Sequence, residues 1–287
     1  MVKVVGSTRR RQRHELTTVI RPPGLPLAMA ICAISAPAHG QAPCALAAPA
    51  ETVRVERAVD GDTALLADGR EVRLAAVAAP KTPLGTKPEA WPLDAGSRAA
   101  LAAALSGRTV ELRLSGRSPD RYGRLRGFLS EPGAADHSGV AADLVARGLL
   151  RWTADNSDCA ATLRAAEDRA RAARLGLWAE PYYEVRDAAD GEALITAEGR
   201  FVVAEGRVAS VRTAAGRLYV NFGKRWRNAL SLTVSEATLR RLGGVQALDL
   251  RTGARLRARG VVEARRGPII EVLNREQIER LDGAPGR

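Results

Sequence analysis

The sequence predicts an α+β protein, mainly β: a five-stranded barrel with packed helices, followed by a second, smaller β-rich unit. Three observations predict it. Short runs such as "TVRVERAV" (52–59) alternate apolar and polar residues, the period of a half-buried strand. Turn residues such as Asp68-Gly69 separate the runs. Longer stretches at 94–106 and 158–176 are rich in Ala and Leu at helical spacing.

In chain order, 52–59, 63–67 and 70–77 form a three-strand meander, with the Asp68-Gly69 hairpin between the last two. A loop rich in Pro and Gly follows (79–94), then a helix over 94–106 that Gly107 stops. Strands at 108–115 and 124–130 flank "GRSPDRYG". Helices follow at 140–148, ended by Gly148, and at 158–176, capped by Ser157, with Leu163, Ala166, Ala170, Ala173 and Leu177 on one face. Five strands with interleaved helices over 51–180 suit a small barrel with helices at its ends. Residues 181–198 read as a linker. Beyond it, 200–213, 217–223, 228–234, 254–265 and 267–273 give about five strands, interrupted by one helix at 235–243. That count suits a second barrel of the oligonucleotide/oligosaccharide-binding (OB) type over 199–282. No close internal repeat is visible.

Composition narrows the function. Net charge is +12, which suggests a polyanionic partner, but +5 of it lies in residues 1–50. Only four of the 44 basic residues are lysines, a bias that fits a GC-rich genome as well as a functional choice. Residues 1–50 read as a signal peptide and flexible leader: a basic stretch, the apolar "GLPLAMAICAIS" (24–35), then small residues. Export to the periplasm or beyond is therefore expected. The apolar run is too short for a permanent anchor, and no other stretch suits a membrane span. Cys32 would leave with the signal. Cys44 and Cys159 would remain in an oxidising compartment that favours a bridge, although Cys44 falls in the leader and is itself a candidate for removal. No Cys/His spacing fits zinc, and His14, His39 and His137 are isolated.

Hydrolysing a phosphodiester with a hard cation needs carboxylates for the ion, cations for the charge growing on phosphorus, and a base for water. Asp60 and Asp62 are candidate metal ligands, converging only if a bend at Gly61 re-aims them. Arg73, on the third strand, and Arg124, after "DRYG", are candidate phosphate clamps.

These residues carry a resemblance. "DGDT" (60–63), "VRL" (72–74), Pro80, "DRYGR" (120–124) and "GLW" (176–178) stand in the order and spacing of the staphylococcal-nuclease-like, or thermonuclease, family. The resemblance implies an OB-type barrel and calcium-dependent hydrolysis of DNA and RNA. It makes Asp62 the principal calcium ligand with Asp60 nearby, Arg73 and Arg124 the phosphate-binding pair, and Tyr122 the tyrosine beside the substrate phosphate. The chain departs from the family at "AAPK" (78–81), where "DAPE" or "DTPE" is usual. A second calcium carboxylate is thereby Ala78, and the general-base glutamate is Lys81. Losing a positioned base forfeits about 10²–10⁴-fold in rate.

Three readings stay open. Glu89, in the loop after Lys81, is a candidate substitute base. Alternatively the barrel is a non-catalytic nucleic-acid or polyanion binder that keeps its arginines, or it cleaves weakly by another route. In the second unit, "NFGKRWRN" (221–228) interleaves aromatics with cations, which makes Trp226 a candidate base-stacking residue. A role in envelope assembly, with barrels that bind protein, is a further alternative.

Overall fold

The computed structural model describes residues 43–282; the expected signal segment, with Cys32, His14 and His39, lies outside the described residues. The first barrel is built from β1 (Ala50–Ala58), β2 (Thr63–Leu66), β3 (Glu71–Leu74), β5 (Thr109–Leu114) and β6 (Leu125–Ser130), closed in the order β1-β2-β3-β6-β5. Closure depends on β1 pairing two neighbours. Residues 50–54 pair with β5, and after an irregularity between Val55 and Arg57 the strand pairs with β2. β3 and β6 run parallel, and the other pairs are antiparallel. Alternate residues point inward, so Val53, Val55, Ala64, Leu66, Val72, Leu74, Val110, Leu112 and Phe128 fill the interior.

Helices α1 (Pro92–Leu105), α2 (Gly139–Ala146) and α3 (Ala160–Ala172) cover the barrel ends with Leu101, Leu105, Leu144 and Leu163. A two-residue ladder joins β4 (Val77–Ala78) to β7 (Arg151–Trp152). The third helix is shorter than its 158–176 pattern. It starts after Cys159, whose φ of 52° is left-handed, and ends before Gly176, which nearly touches the backbone of Gly148. Ala173 is consequently exposed, while Leu163, Ala166 and Ala170 are buried as expected.

Cys44 does not hang in a loose leader. It is bonded to Cys159, with Cα atoms 5.0 Å apart, and is buried. His137, isolated in sequence, accepts the Leu46 N–H on Nδ1 at 2.8 Å and donates its own N–H to the Cys44 carbonyl at 2.9 Å. Residues 44–46 are thus fastened to the barrel twice.

After the short elements β8 (Arg186–Asp187) and α4 (Gly191–Ile195) comes a second sheet. It contains β9 (Phe201–Arg207), β10 (Ser210–Ala214), β11 (Arg217–Asn221), β12 (Ser231–Ser235), β13 (Arg255–Ala264), β14 (Pro268–Glu271) and β15 (Ile278–Arg280), with α5 (Glu236–Arg241) and α6 (Gly244–Ala247) between β12 and β13. The pairings run β10-β11-β12-β14-β13-β9, with β12 and β14 parallel. β9 and β10 are one run of chain, broken only at Val208-Ala209. There Val208 donates to the Ala254 carbonyl beside β13, while Ala209 donates to the Asn221 carbonyl on β11. Taken as one strand, β9–β10 repeats what β1 does in the first barrel. Strand order and the place of the helices repeat with it, although the sequence shows no close repeat. The second core is separate: Val202, Leu218, Val220, Leu232, Val234, Leu256 and Ile270 belong to it.

The two cores meet at a charged contact. Arg259 of β13, fully buried, donates to Glu167 of α3 at 2.5 Å and to Glu279 of β15, and lies 4.3 Å from the Trp152 ring centroid.

Candidate phosphate site and its built-in cation

The "DGDT" turn joins β1 to β2. Gly61 is packed so closely that a Cβ there would collide with Ser97 Oγ on α1 and reach within 2.7 Å of Ala79 Cβ. This fixes the two aspartates on either side. Asp60 Oδ1 accepts the Asp62 N–H at 2.9 Å, an Asx turn that bends the chain as the convergence of the two carboxylates requires. Asp62 is buried, its Oδ2 accepting the Ala79 N–H at 2.7 Å and its Oδ1 lying 3.3 Å from the donating Thr63 hydroxyl.

The ammonium of Lys81 sits between them, 2.7 Å from Asp60 Oδ2 and 3.5 Å from Asp62 Oδ1. Burial raises the Asp60 pKa, but the hydrogen bond from Lys81 and the Asp62 N–H outweigh it and hold the carboxyl below its usual 3.8.

The arginines converge on the same place. Thr63 and Arg73 are directly paired across β2 and β3, and Arg73 Nε lies 3.9 Å from Asp62 Oδ1. Arg124, just before β6, approaches the Thr63 hydroxyl with Nη1 at 3.5 Å. It is otherwise engaged by Asp120, which accepts from Nε at 2.9 Å and pairs with Nη2 at 2.8 Å. For Asp120, burial is again opposed by Arg124 and by the N–H groups of Tyr122 and Arg124, which bring its carboxyl down to about 2. Asp120 thus orders the loop and aims the arginine. Tyr122 is exposed beside it, with the Arg121 and Arg124 guanidiniums 4.8 and 5.1 Å from its ring centroid.

Residues 71–180 match the family model described as staphylococcal nuclease homologue. This part of the chain is similar to that family. The match points to a nuclease-type function with nucleic acid as substrate, and the closed five-stranded barrel agrees with it. It begins at Glu71, so it includes Arg73, Tyr122 and Arg124, while Asp60 and Asp62 join the nuclease-like site through geometry. The chain matches no curated protein. Among the described residues no helix is long and apolar enough to cross a membrane.

Calcium, which the resemblance implies, takes roughly six to eight oxygen ligands. The residues present do not fit it. Each oxygen of Asp60 and Asp62 already faces a backbone N–H, the Thr63 hydroxyl or the Lys81 ammonium. Ala78 offers no side-chain oxygen, and no group of three or more His, Cys, Asp or Glu suited to a metal exists among the described residues. In this arrangement Asp62 and Asp60, the expected calcium ligands, are both partners of a lysine. Glu89, the candidate substitute base, lies exposed on a 3-10 turn (Pro88–Ala90) and makes no side-chain hydrogen bond or ion pair with any described residue. The side chain of Trp226 lies outside the described residues.

Proposed function

We propose that the nuclease-like barrel grips the phosphates of nucleic acid without calcium and without the family's hydrolytic step. One observation carries this reading: the Lys81 ammonium bridges Asp60 and Asp62, with Arg73 and Arg124 beside the same aspartates. Lys81, Arg73 and Arg124 balance the charges of Asp60, Asp62 and Asp120, so an incoming phosphate meets guanidiniums rather than bare carboxylates, with no ion to recruit. An ammonium group at the position of the family's glutamate cannot accept a proton from water. Binding would rest on Arg73, the half-free Arg124 and the exposed face of Tyr122.

Export of the chain belongs to the same proposal. The Cys44–Cys159 bond supports it, because such bonds persist in oxidising compartments. The division into two units near residues 181–198 is also part of this proposal, supported by the two separate apolar cores.

The test is fluorescence anisotropy of a labelled single-stranded oligonucleotide with the full chain, in calcium and in chelator, with the DNA recovered and sized afterwards. Equal binding in both conditions with intact DNA is expected. Calcium-stimulated, chelator-sensitive digestion would overturn the reading.

A further inference from the structure

The second barrel carries a cavity of about 620 Å³ on its outer face, open on one side. Strand register explains its chemistry. Val211, Val220, Leu232 and Ile270 form one cross-strand row directed to the core, so the neighbouring rows point outward. One outward row is Ser210, Asn221, Ser231 and Ile269; the next contains Arg212 opposite Tyr219. Asn221 and Ser231 are buried at the cavity wall. The Asn221 amide donates to Ser210 Oγ at 3.0 Å and its Oδ1 accepts the Ser231 hydroxyl at 2.8 Å. This network leaves one amide proton and hydroxyl lone pairs unspent.

The lining charges are cationic, and one carboxylate, Glu263, stands next to them, opposite Ile269 on the same row. Arg212 is exposed and makes no hydrogen bond or ion pair with any described residue. Arg265, also lining the cavity, is paired only with Glu263 at 2.8 Å, and both are exposed, a contact of little strength. No carboxylate lines the cavity, and Glu271, in the same cross-strand row as Tyr219, is already held by Arg217 at 2.6 Å.

We propose that this groove is a second nucleic-acid site that takes single-stranded oligonucleotide, stacking a base on Tyr219 and holding the flanking phosphates with Arg212 and Arg265. A duplex keeps its base faces covered, whereas an unpaired base can lie on a tyrosine ring between two cations. Asn221 and the serines offer hydrogen bonds to the base edge. The inference goes beyond the first barrel's reading and stands without it.

The experiment measures binding of fluorescein-labelled oligothymidine to the full chain in chelator, over a range of salt. The variants are Arg73→Ala/Arg124→Ala, which disables the first site, and the same pair combined with Tyr219→Ala, Tyr219→Phe or Arg212→Ala. Binding should persist in the arginine pair alone. Adding Tyr219→Ala should then weaken it about 5- to 100-fold, the range for one stacked base. Tyr219→Phe keeps the ring and should retain the affinity. Arg212→Ala, an exposed position, should lower the slope of log affinity against log salt by about 0.7. No residual binding in the arginine pair, or no effect of either groove variant, would overturn the second site. Loss with Arg212→Ala but not with Tyr219→Ala would overturn the stacking. If the arginine pair bound like the parent, the first-barrel reading alone would fall.

Discussion

Arg259 and Glu167 form an ion pair at 2.5 Å, one on each barrel, and neither is exposed to solvent. Glu167 also accepts the Trp152 N–H at 3.0 Å, and Trp152 pairs with Val77 in the ladder that leads to Lys81. Removing Glu167 leaves the buried Arg259 with Glu279 as its remaining carboxylate, and breaking a buried network in this way costs up to about 3–5 kcal/mol. Glu167→Ala should therefore lower the denaturation midpoint sharply. Glu167→Leu/Arg259→Met should cost less than either single change, read by urea unfolding, because no unpaired charge remains between α3 and β13.

The two arginines of the phosphate site should differ. Arg124 is bound twice by Asp120, while Arg73 has only the 3.9 Å approach to Asp62 and is more exposed. A guanidinium with fewer internal partners gives more to a ligand. Arg73→Ala should weaken oligonucleotide binding more than Arg124→Ala, each lowering the salt slope by about 0.7 in anisotropy titrations.

Lys81→Glu should turn the site into one for divalent ions. It replaces the internal cation with a third carboxylate beside Asp60 and Asp62, the donor type that calcium favours. The variant's thermal midpoint should rise with added calcium, and the parent's should stay constant. Without the ion, the third carboxylate repels Asp60 and the buried Asp62, so the variant should be less stable than the parent.

Acid should loosen this site before the rest of the barrel. Asp60 and Asp120 have carboxyl pKa values below the usual 3.8 in the folded protein, Asp120 at about 2. A lowered folded pKa gives stability that is present above the unfolded value and lost as pH falls through the folded one. Between about pH 4 and 2, protonation should release Arg124 from Asp120 and Lys81 from Asp60. Tyr122 fluorescence and local hydrogen exchange in 118–124 should report it, and Asp120→Asn should remove the Arg124 part of the transition.

Much of the first barrel was legible because its rules are local. Alternation marked the strands, Asp68-Gly69 the hairpin, and "DGDT" with "DRYGR" the meeting of Asp62, Arg73 and Arg124. Periodicity said nothing of what Lys81 does: its value as an ion partner depends on the fold of the loop after β4. Glu89, close to Lys81 in sequence, lies exposed on the turn Pro88–Ala90. The buried Arg259 looked like any arginine in "ARLRARG", because its partners are 92 and 20 residues away. The groove was missed in the same way. "NFGKRWRN" drew the eye through its local density of aromatics and cations, whereas Arg212, Tyr219 and Ser231 meet only through strand register. The strand count of the second unit and its helix after the third strand were legible for the same local reasons, and one apolar pattern over 200–213 covers both β9 and β10.

The bond between Cys44 and Cys159 spans a sequence separation of 115, and the exposed stretch around Leu84 lies inside it. A protease that severs the backbone near Leu84 would liberate no fragment, because each product still holds one of the paired sulfurs. Outside the cell, a nicked molecule would keep its mass until a thiol reductant arrived, and a gel run with and without that reductant would reveal the scission.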